Sequence, residues 1–373
     1  MMHFHIQPTD KTLSATIQDK IDNLNKPKGS LGRLESLAHQ LCLIQGTLTP
    51  HLNHPCHVLF GGDHGIEREG VSVSPREVTW QQMVNFSRGG GGVNMFCRQH
   101  GFTLRLVDAG VDHDLSDIIA IIPRKVGFGT RNFLHEPAMT REEMLQCLAT
   151  GREMTDQCHG EGCNVISFGE MGIANTSPSS IWMHFLENIP LDRCIGAGAG
   201  LSDEGIRHKM DILSRSVVHF TETTGIASPA PLISDFQWSD TPCSSLHIYS
   251  KDTLTELLRG FGGFEMVAAV GGMLRGAELG MTVLIDGFIM TACAMMAIAF
   301  HPEARDYFVF THSGDETGHD MMLRHLHAEP LLRLGLRLGE GTGALCAYPL
   351  LVSAVNMVNE MDNFQHARIT KYF

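Results

Sequence analysis

HVLFGGDHG, residues 57 to 65, is a short apolar run that stops in paired glycines and then delivers Asp63 and His64. A run of this length without polar alternation is the pattern of a strand buried on both faces. The same pattern recurs four times. TLRLVDAGVD carries Asp108, NVISFGEMG carries Glu170, TVLIDGF carries Asp286, and YFVFTHSGDE carries Asp315 and Glu316. Stretches of helical spacing, such as EVTWQQMVNFSR and REEMLQCLATGREM, lie between them. This alternation predicts an α/β fold with a parallel sheet flanked by helices. Such sheets bind ligands outside the carboxyl ends of their strands, where these glycines and acids stand.

Residues 8 to 47 follow a different pattern. LSATIQDKIDNL and LESLAHQLCLI repeat apolar positions at helical spacing, and the basic, glycine-bearing KPKGSLGRLE joins them. The expected organisation is a small helical domain over 1–50, completed by part of the C-terminal segment. A large Rossmann-like α/β domain over 51–350 and a C-terminal helical tail over 351–373 follow. MTVLIDGFIMTACAMMAIAF, 281 to 300, has membrane-like length, but Asp286 and Gly287 interrupt it, so TVLIDGF reads as a buried strand. GGGG, 89 to 92, reads as a helix end or hinge.

The net charge over 373 residues is −13, which argues against general binding to nucleic acid or an anionic membrane surface. The apolar fraction of 43% and charged fraction of 18% are those of an ordinary globular protein. The ten cysteines form no CxxC pair and read as reduced thiols of a cytoplasmic enzyme. MMHFHIQPTDKTL has no basic stretch followed by an apolar core, so no secretory signal is expected.

Several blocks could carry chemistry. LRLGEGTGAL, 336 to 345, sets Glu340 between glycines and runs into an apolar stretch. Glycine belongs where the backbone turns sharply or approaches something closely. Glu340 is therefore either a carboxylate held beside a ligand or a charge at a helix N-terminus. FGEMGIANTS, 168 to 177, follows Glu170 with Gly172, Asn175 and Thr176, small donors that suit a phosphate or sugar or simply a turn into a helix. GAGAGL, 196 to 201, precedes SDEGIRHKM. Such a loop can offer backbone N–H groups to a phosphate, and Ser202 reads equally well as an ordinary helix cap. In THSGDETGHD, 311 to 320, small hydroxyls and glycines favour phosphate over metal. In GVSVSPREVTWQQM, 70 to 83, Pro75 can start a helix capped by Ser74.

Taken together, nine blocks resemble one family: KPKGSLGRLE, GGDHGI, GVSVSPREVT, GEMGIANT, GAGAGLSDEGIRHK, GGFEMVAAVGGMLRGAELG, VLIDGFI, THSGDETGHD and RLGEGTGA occur in its order. The chain is similar to the nicotinate-nucleotide:dimethylbenzimidazole phosphoribosyltransferases over roughly residues 10 to 360. The resemblance implies a phosphoribosyl transfer from nicotinate mononucleotide to a benzimidazole, giving α-ribazole 5′-phosphate for the nucleotide loop of cobalamin. It implies a homodimer with small-molecule substrates and with neither cofactor nor metal. It implies Glu340 as general base with Glu170 assisting, and Ser72 and Gln81 lining the base pocket. Gly172, Asn175, Thr176, Gly198, Gly200, Ser313 and Gly314 would hold the ribose phosphate, with Lys209 as a phosphate partner. Ala174 stands where the family more often has glycine, and Ala199 where threonine is frequent.

Two other classes compete. A metal-dependent hydrolase would use Asp63, His64, His312, Glu316 and His319. A non-catalytic sensor would bind an azole or nucleotide through the same glycine loops.

Overall fold

The computed structural model describes residues 2–198, 200–234 and 248–371. Its six described strands are β1 (Cys56–Gly62), β2 (Thr103–Gly110), β3 (Ile121–Pro123), β4 (Val165–Met171), β5 (Thr282–Ile285) and β6 (Phe308–Phe310). All pair in parallel, in the order β3-β2-β1-β4-β5-β6. That is the doubly wound order, whose topological switch lies between β1 and β4. The five apolar runs are the five longer or more buried strands. β3 escapes sequence reading because it is three residues long and ends in a proline at the sheet edge.

The helices are α1 (Ser14–Asp22), α2 (Arg33–Gln45), α3 (Glu77–Ser87), α4 (Gly92–His100), α5 (Arg141–Gly160), α6 (Thr176–Glu187) and α7 (Leu191–Cys194). They continue with α8 (Asp203–Thr224), α9 (Lys251–Phe261), α10 (Phe264–Glu278), α11 (Phe288–Phe300), α12 (His319–His325) and α13 (Thr342–Glu360). Alternate strand residues feed two cores. Val58, Phe60, Ile166, Phe168, Val283 and Phe308 pack with α5, α6, α9, α10 and α11. Leu59, Leu106, Val165, Leu284 and Val309 face α1, α2, α4 and α13 on the opposite side. This period-two division buries both faces of β1, β4, β5 and β6, so their residues are mostly apolar.

The helical opening shares the second core with α13, and Leu24 bridges to Asn363 beyond it. Because α13 runs from Thr342 to Glu360, position 350 falls inside a continuous helix. The 281–300 stretch divides into β5 and α11 around Asp286 and Gly287. Among the described residues one helix, α13, is long and apolar enough to cross a membrane, yet 61% of its apolar window is buried within the fold. Ser74 does not cap α3. The helix starts at Glu77 without a side-chain cap, and the Ser74 N–H donates to Ser72 Oγ. Ser202, in contrast, caps α8 by accepting from Gly205 N at 3.2 Å. The nine described cysteines are free thiols, and Cys243 lies outside the described residues.

Candidate active site

A cleft of about 310 Å³ opens over the carboxyl ends of β4, β5 and β6 beside the topological switch. Glu170 sits there because it is the penultimate residue of β4. It is 8% exposed, and its Oε2 accepts from Asn175 Nδ2. Asn175 therefore spends its side chain on the carboxylate and leaves the N-terminus of α6 without a side-chain cap. Burial raises the Glu170 pKa to about 8. The Asn175 amide opposes that rise, and the nearby charges of Glu265, Asp286 and Glu340 reinforce it.

Glu340 enters from the segment preceding α13. Gly339, Glu340 and Gly341 have φ values of +83°, +60° and +76°. Three consecutive left-handed residues explain the flanking glycines, while Glu340 itself bears about 1–2 kcal/mol of backbone strain. A Cβ on Gly339 would lie 2.6 Å from Glu170 Oε1, and one on Gly341 would collide with the His57 ring. The glycines thus let this turn settle against Glu170 on one side and His57 on the other. The Glu340 carboxylate is 7% exposed, and its Oε2 accepts from Val93 N at 3.0 Å, at the start of α4. The GGGG run ends there, and Gly92 N also faces the carboxylate. Burial raises the Glu340 pKa. The N–H groups of Val93 and Gly92 pull it down, and Asp286 adds to the rise.

A cationic subsite completes the cleft. Lys209 on α8 is 1% exposed, and its Nζ donates to Thr176 Oγ1 at 2.8 Å. Thr176 is the first residue of α6. Gly198, at φ +53°, brings its backbone against this pair, where a Cβ would lie 3.3 Å from Thr176 Oγ1. An ammonium, a hydroxyl and a helix N-terminus together suit a phosphate. Burial depresses the Lys209 pKa to about 8 despite the neighbouring Glu316. Ala174, two residues before α6, has φ +75°, which explains why glycine would be the easier residue there. Ala199 lies outside the described residues.

The cleft wall brings together Glu340, Glu170, Ser72, Gly172, Asn175, Thr176, Gly198, Lys209 and Gly314. Three expected residues lie off it. Gln81 is exposed and Gln82 lines the cleft instead, because Val78 and Gln82 share a face of α3 and one residue turns that face by about 100°. Gly200 is exposed with open space around it. Ser313 is buried and turns its hydroxyl toward Asp320 Oδ1 at 3.4 Å. Ser74, read as a helix cap, also lines the cleft, as do Asp286, His312, Glu316 and Arg337. Their strand-end positions were the available signal for Asp286 and Glu316.

The residues of the hydrolase alternative do not all converge: His312 and Glu316 line the cleft, whereas Asp63 and His64 do not. Asp63 Oδ2 accepts from Asp112 N at 2.8 Å, and His64 Nε2 pairs with Glu265 Oε1 at 2.7 Å. His319 Nε2 meets Thr291 Oγ1 at 3.0 Å, while its Nδ1 accepts from Gly314 N at 2.8 Å. Among the described residues no group of three His, Cys, Asp or Glu side chains is placed to hold a metal ion.

A buried lysine at a helix N-terminus and two buried carboxylates with raised pKa share one cleft, and most of the chain matches one family. The phosphoribosyltransferase family model matches residues 6–234 and 243–369. The chain belongs to this family. It is an enzyme of the phosphoribosyltransferase type. The nicotinate-nucleotide–dimethylbenzimidazole phosphoribosyltransferase of Phocaeicola vulgatus is 56% identical over 100% of both chains. Its namesake in Bacteroides fragilis is 52% identical, again over 100% of both. The crystal structure of CobT from Thermus thermophilus superposes with a TM-score of 0.85 at 34% identity, covering 97% of this chain and 100% of that one. Family and structural likeness therefore agree with the parallel sheet flanked by helices.

Proposed function

We propose that this enzyme transfers the 5-phosphoribosyl group of nicotinate mononucleotide to 5,6-dimethylbenzimidazole or a related base. It releases nicotinate and forms α-ribazole 5′-phosphate for cobalamin's nucleotide loop. The observation carrying the proposal is the cleft itself, with Glu340 and Glu170 both buried and both raised in pKa beside the Lys209–Thr176 subsite. The names of the full-length relatives support the substrates.

The chemistry needs one base. Nicotinate leaves from a cationic ring nitrogen, and departure neutralises that nitrogen without a general acid. The incoming benzimidazole attacks the anomeric carbon through one nitrogen and must lose the proton on the other. Glu340 accepts that proton, because burial makes its carboxylate more basic than one in water. Attack opposite the leaving group inverts the anomeric carbon. Glu170, when ionised, stabilises the positive charge developing on the ribose ring. Lys209, Thr176 and the α6 N-terminus hold the phosphate, while Gln82, Ser72 and Ser74 offer polar contacts to the base.

The test is incubation of purified protein with both substrates, without added metal, followed by chromatography. Free nicotinate and a ribazole phosphate should appear together. A folded protein that binds the mononucleotide and exchanges no base would overturn the transferase reading. Gln82→Ala should raise the KM for the base about tenfold with kcat nearly unchanged, the loss of one hydrogen bond made in both ground and transition states. Gln81→Ala should alter neither constant, and the reverse pattern would return the base pocket to Gln81.

The pH dependence follows from two groups. Glu170 ionises as pH rises through about 8, so kcat/KM rises toward that value. Lys209 loses its charge above about 8, so phosphate binding weakens there. The expected profile is a narrow bell centred near pH 8, read as kcat/KM of the free enzyme. A flat profile from about pH 6 to 9 would remove both assignments.

The same reading makes the enzyme a cytoplasmic homodimer. The free thiols suit a reducing compartment, and exposed apolar Val73, Leu334 and Leu338 in the cleft-bearing segments suit a partner surface. Sedimentation equilibrium tests the dimer.

A further inference from the structure

His57 lies within β1, is wholly buried, and takes no part in the chemistry above. It stands opposite Ser167 of β4 in the sheet register. Its Nε2 is 3.0 Å from the main-chain oxygen of Glu340, and its Nδ1 is 2.7 Å from Ser167 Oγ. A carbonyl oxygen only accepts, so Nε2 carries the proton and Nδ1 accepts from the serine hydroxyl. One tautomer satisfies both contacts.

The surroundings are built around this ring. Gly341 packs so closely on it that a Cβ would overlap the imidazole. A Cβ on Gly169 would come within 2.6 Å of both His57 Nε2 and the Glu340 carbonyl oxygen. Two glycines from separate segments therefore clear space for one hydrogen bond. That bond ends on the residue whose φ of +60° is unfavourable for a side chain. A strained conformation persists only where its surroundings over-determine it.

We propose that His57 is a positioning residue for catalysis: through Nε2–H it pins the Glu340 main chain in its left-handed conformation and so aims the carboxylate into the cleft. Ser167 acts one step further back by fixing the tautomer and the plane of the ring. The proposal rests on the reading of Glu340 as the base. Without the pin, the 339–341 turn relaxes and the carboxylate shifts from the substrate. A displacement of about 1 Å is enough to lower a rate on the order of 10²-fold.

The test uses the full chain with four variants: His57→Leu, His57→Gln, Ser167→Ala and Glu340→Gln. His57→Leu should lower kcat about 10- to 100-fold with the KM for the mononucleotide unchanged, since no substrate contact is lost. His57→Gln keeps a donor near the Nε2 position and should recover most of that loss. Ser167→Ala keeps the ring and should lower kcat a few fold. It remains informative if His57→Leu fails to fold. A purely structural role would lower the yield and Tm of folded protein while leaving kcat per nucleotide-binding site intact, and that result overturns the proposal. Wild-type kcat in both His57→Leu and Ser167→Ala overturns it too, as does wild-type kcat in Ser167→Ala alone when His57→Leu cannot be purified. Full activity in Glu340→Gln refutes the base assignment, whereas a dead Glu340→Gln beside a fully active His57→Leu refutes only the positioning role.

Discussion

Glu340→Gln should lower kcat by about 10² to 10⁴-fold while the KM values for both substrates stay within a few fold. The substitution keeps size and keeps an oxygen able to accept from Val93 N, so the 339–341 turn and the start of α4 retain their contact. It removes only the ability to take a proton. In the proposed reaction the proton leaves the benzimidazole as its other nitrogen bonds to carbon, so the loss would fall on the transition state and not on binding. In energy it is about 3–5 kcal/mol of barrier. Steady-state rates over both substrates, with a melting curve to show an unchanged fold, check the expectation. Near-wild-type turnover would leave Glu340 as no more than a buried helix-terminal charge on α4.

Lys209→Met should raise the KM for the mononucleotide about 10²-fold, with a smaller change in kcat. Lys209 is the buried cation of the subsite, and its Nζ is already directed at Thr176 Oγ1. Removing one member of a buried, hydrogen-bonded charge pair costs about 2–5 kcal/mol in complexes. Methionine fills similar volume without charge, so the cost reports on phosphate binding and not on a cavity. It would also leave Glu316 beside the phosphate without the cation that balances it. Lys209→Arg should not restore affinity, because the larger planar fork has no space where the lysine is 1% exposed. Calorimetric binding of the mononucleotide gives the answer directly, and an unchanged affinity would move the phosphate elsewhere in the cleft.

Glu340 shows how far motif reading reaches. Its glycine frame marks a constrained carboxylate, and the structure supplies that constraint. The reason differs from a simple close approach to a ligand, since Gly339 makes room for Glu170 and Gly341 for His57. Gln81 shows the limit in a helix. Choosing between two adjacent glutamines requires the rotational phase of α3, which packing of Thr79, Met83 and Phe86 decides. Asp63 and Asp108 show the limit among strand-end acids. Asp108 accepts from Val111 N at 2.9 Å and pairs with Lys125, while Asp63 holds Asp112 N, so both are spent on loop structure.

The amino-acid sequence by itself determined the α/β class, five of the six described strands, the helical opening, and the four acids, Glu170, Asp286, Glu316 and Glu340, that line the cleft. Those features are local: unbroken apolar runs, helical spacing, and glycines beside acids. Tertiary structure alone decided the strand order, the adoption of β3, the choice of Gln82, the removal of Gly200 and Ser313 from the cleft, and the place of His57. His57 meets partners 110 and 283 residues away in the chain. Nothing in an apolar strand announces such a contact, because a buried polar side chain acquires its meaning from the groups that replace its water.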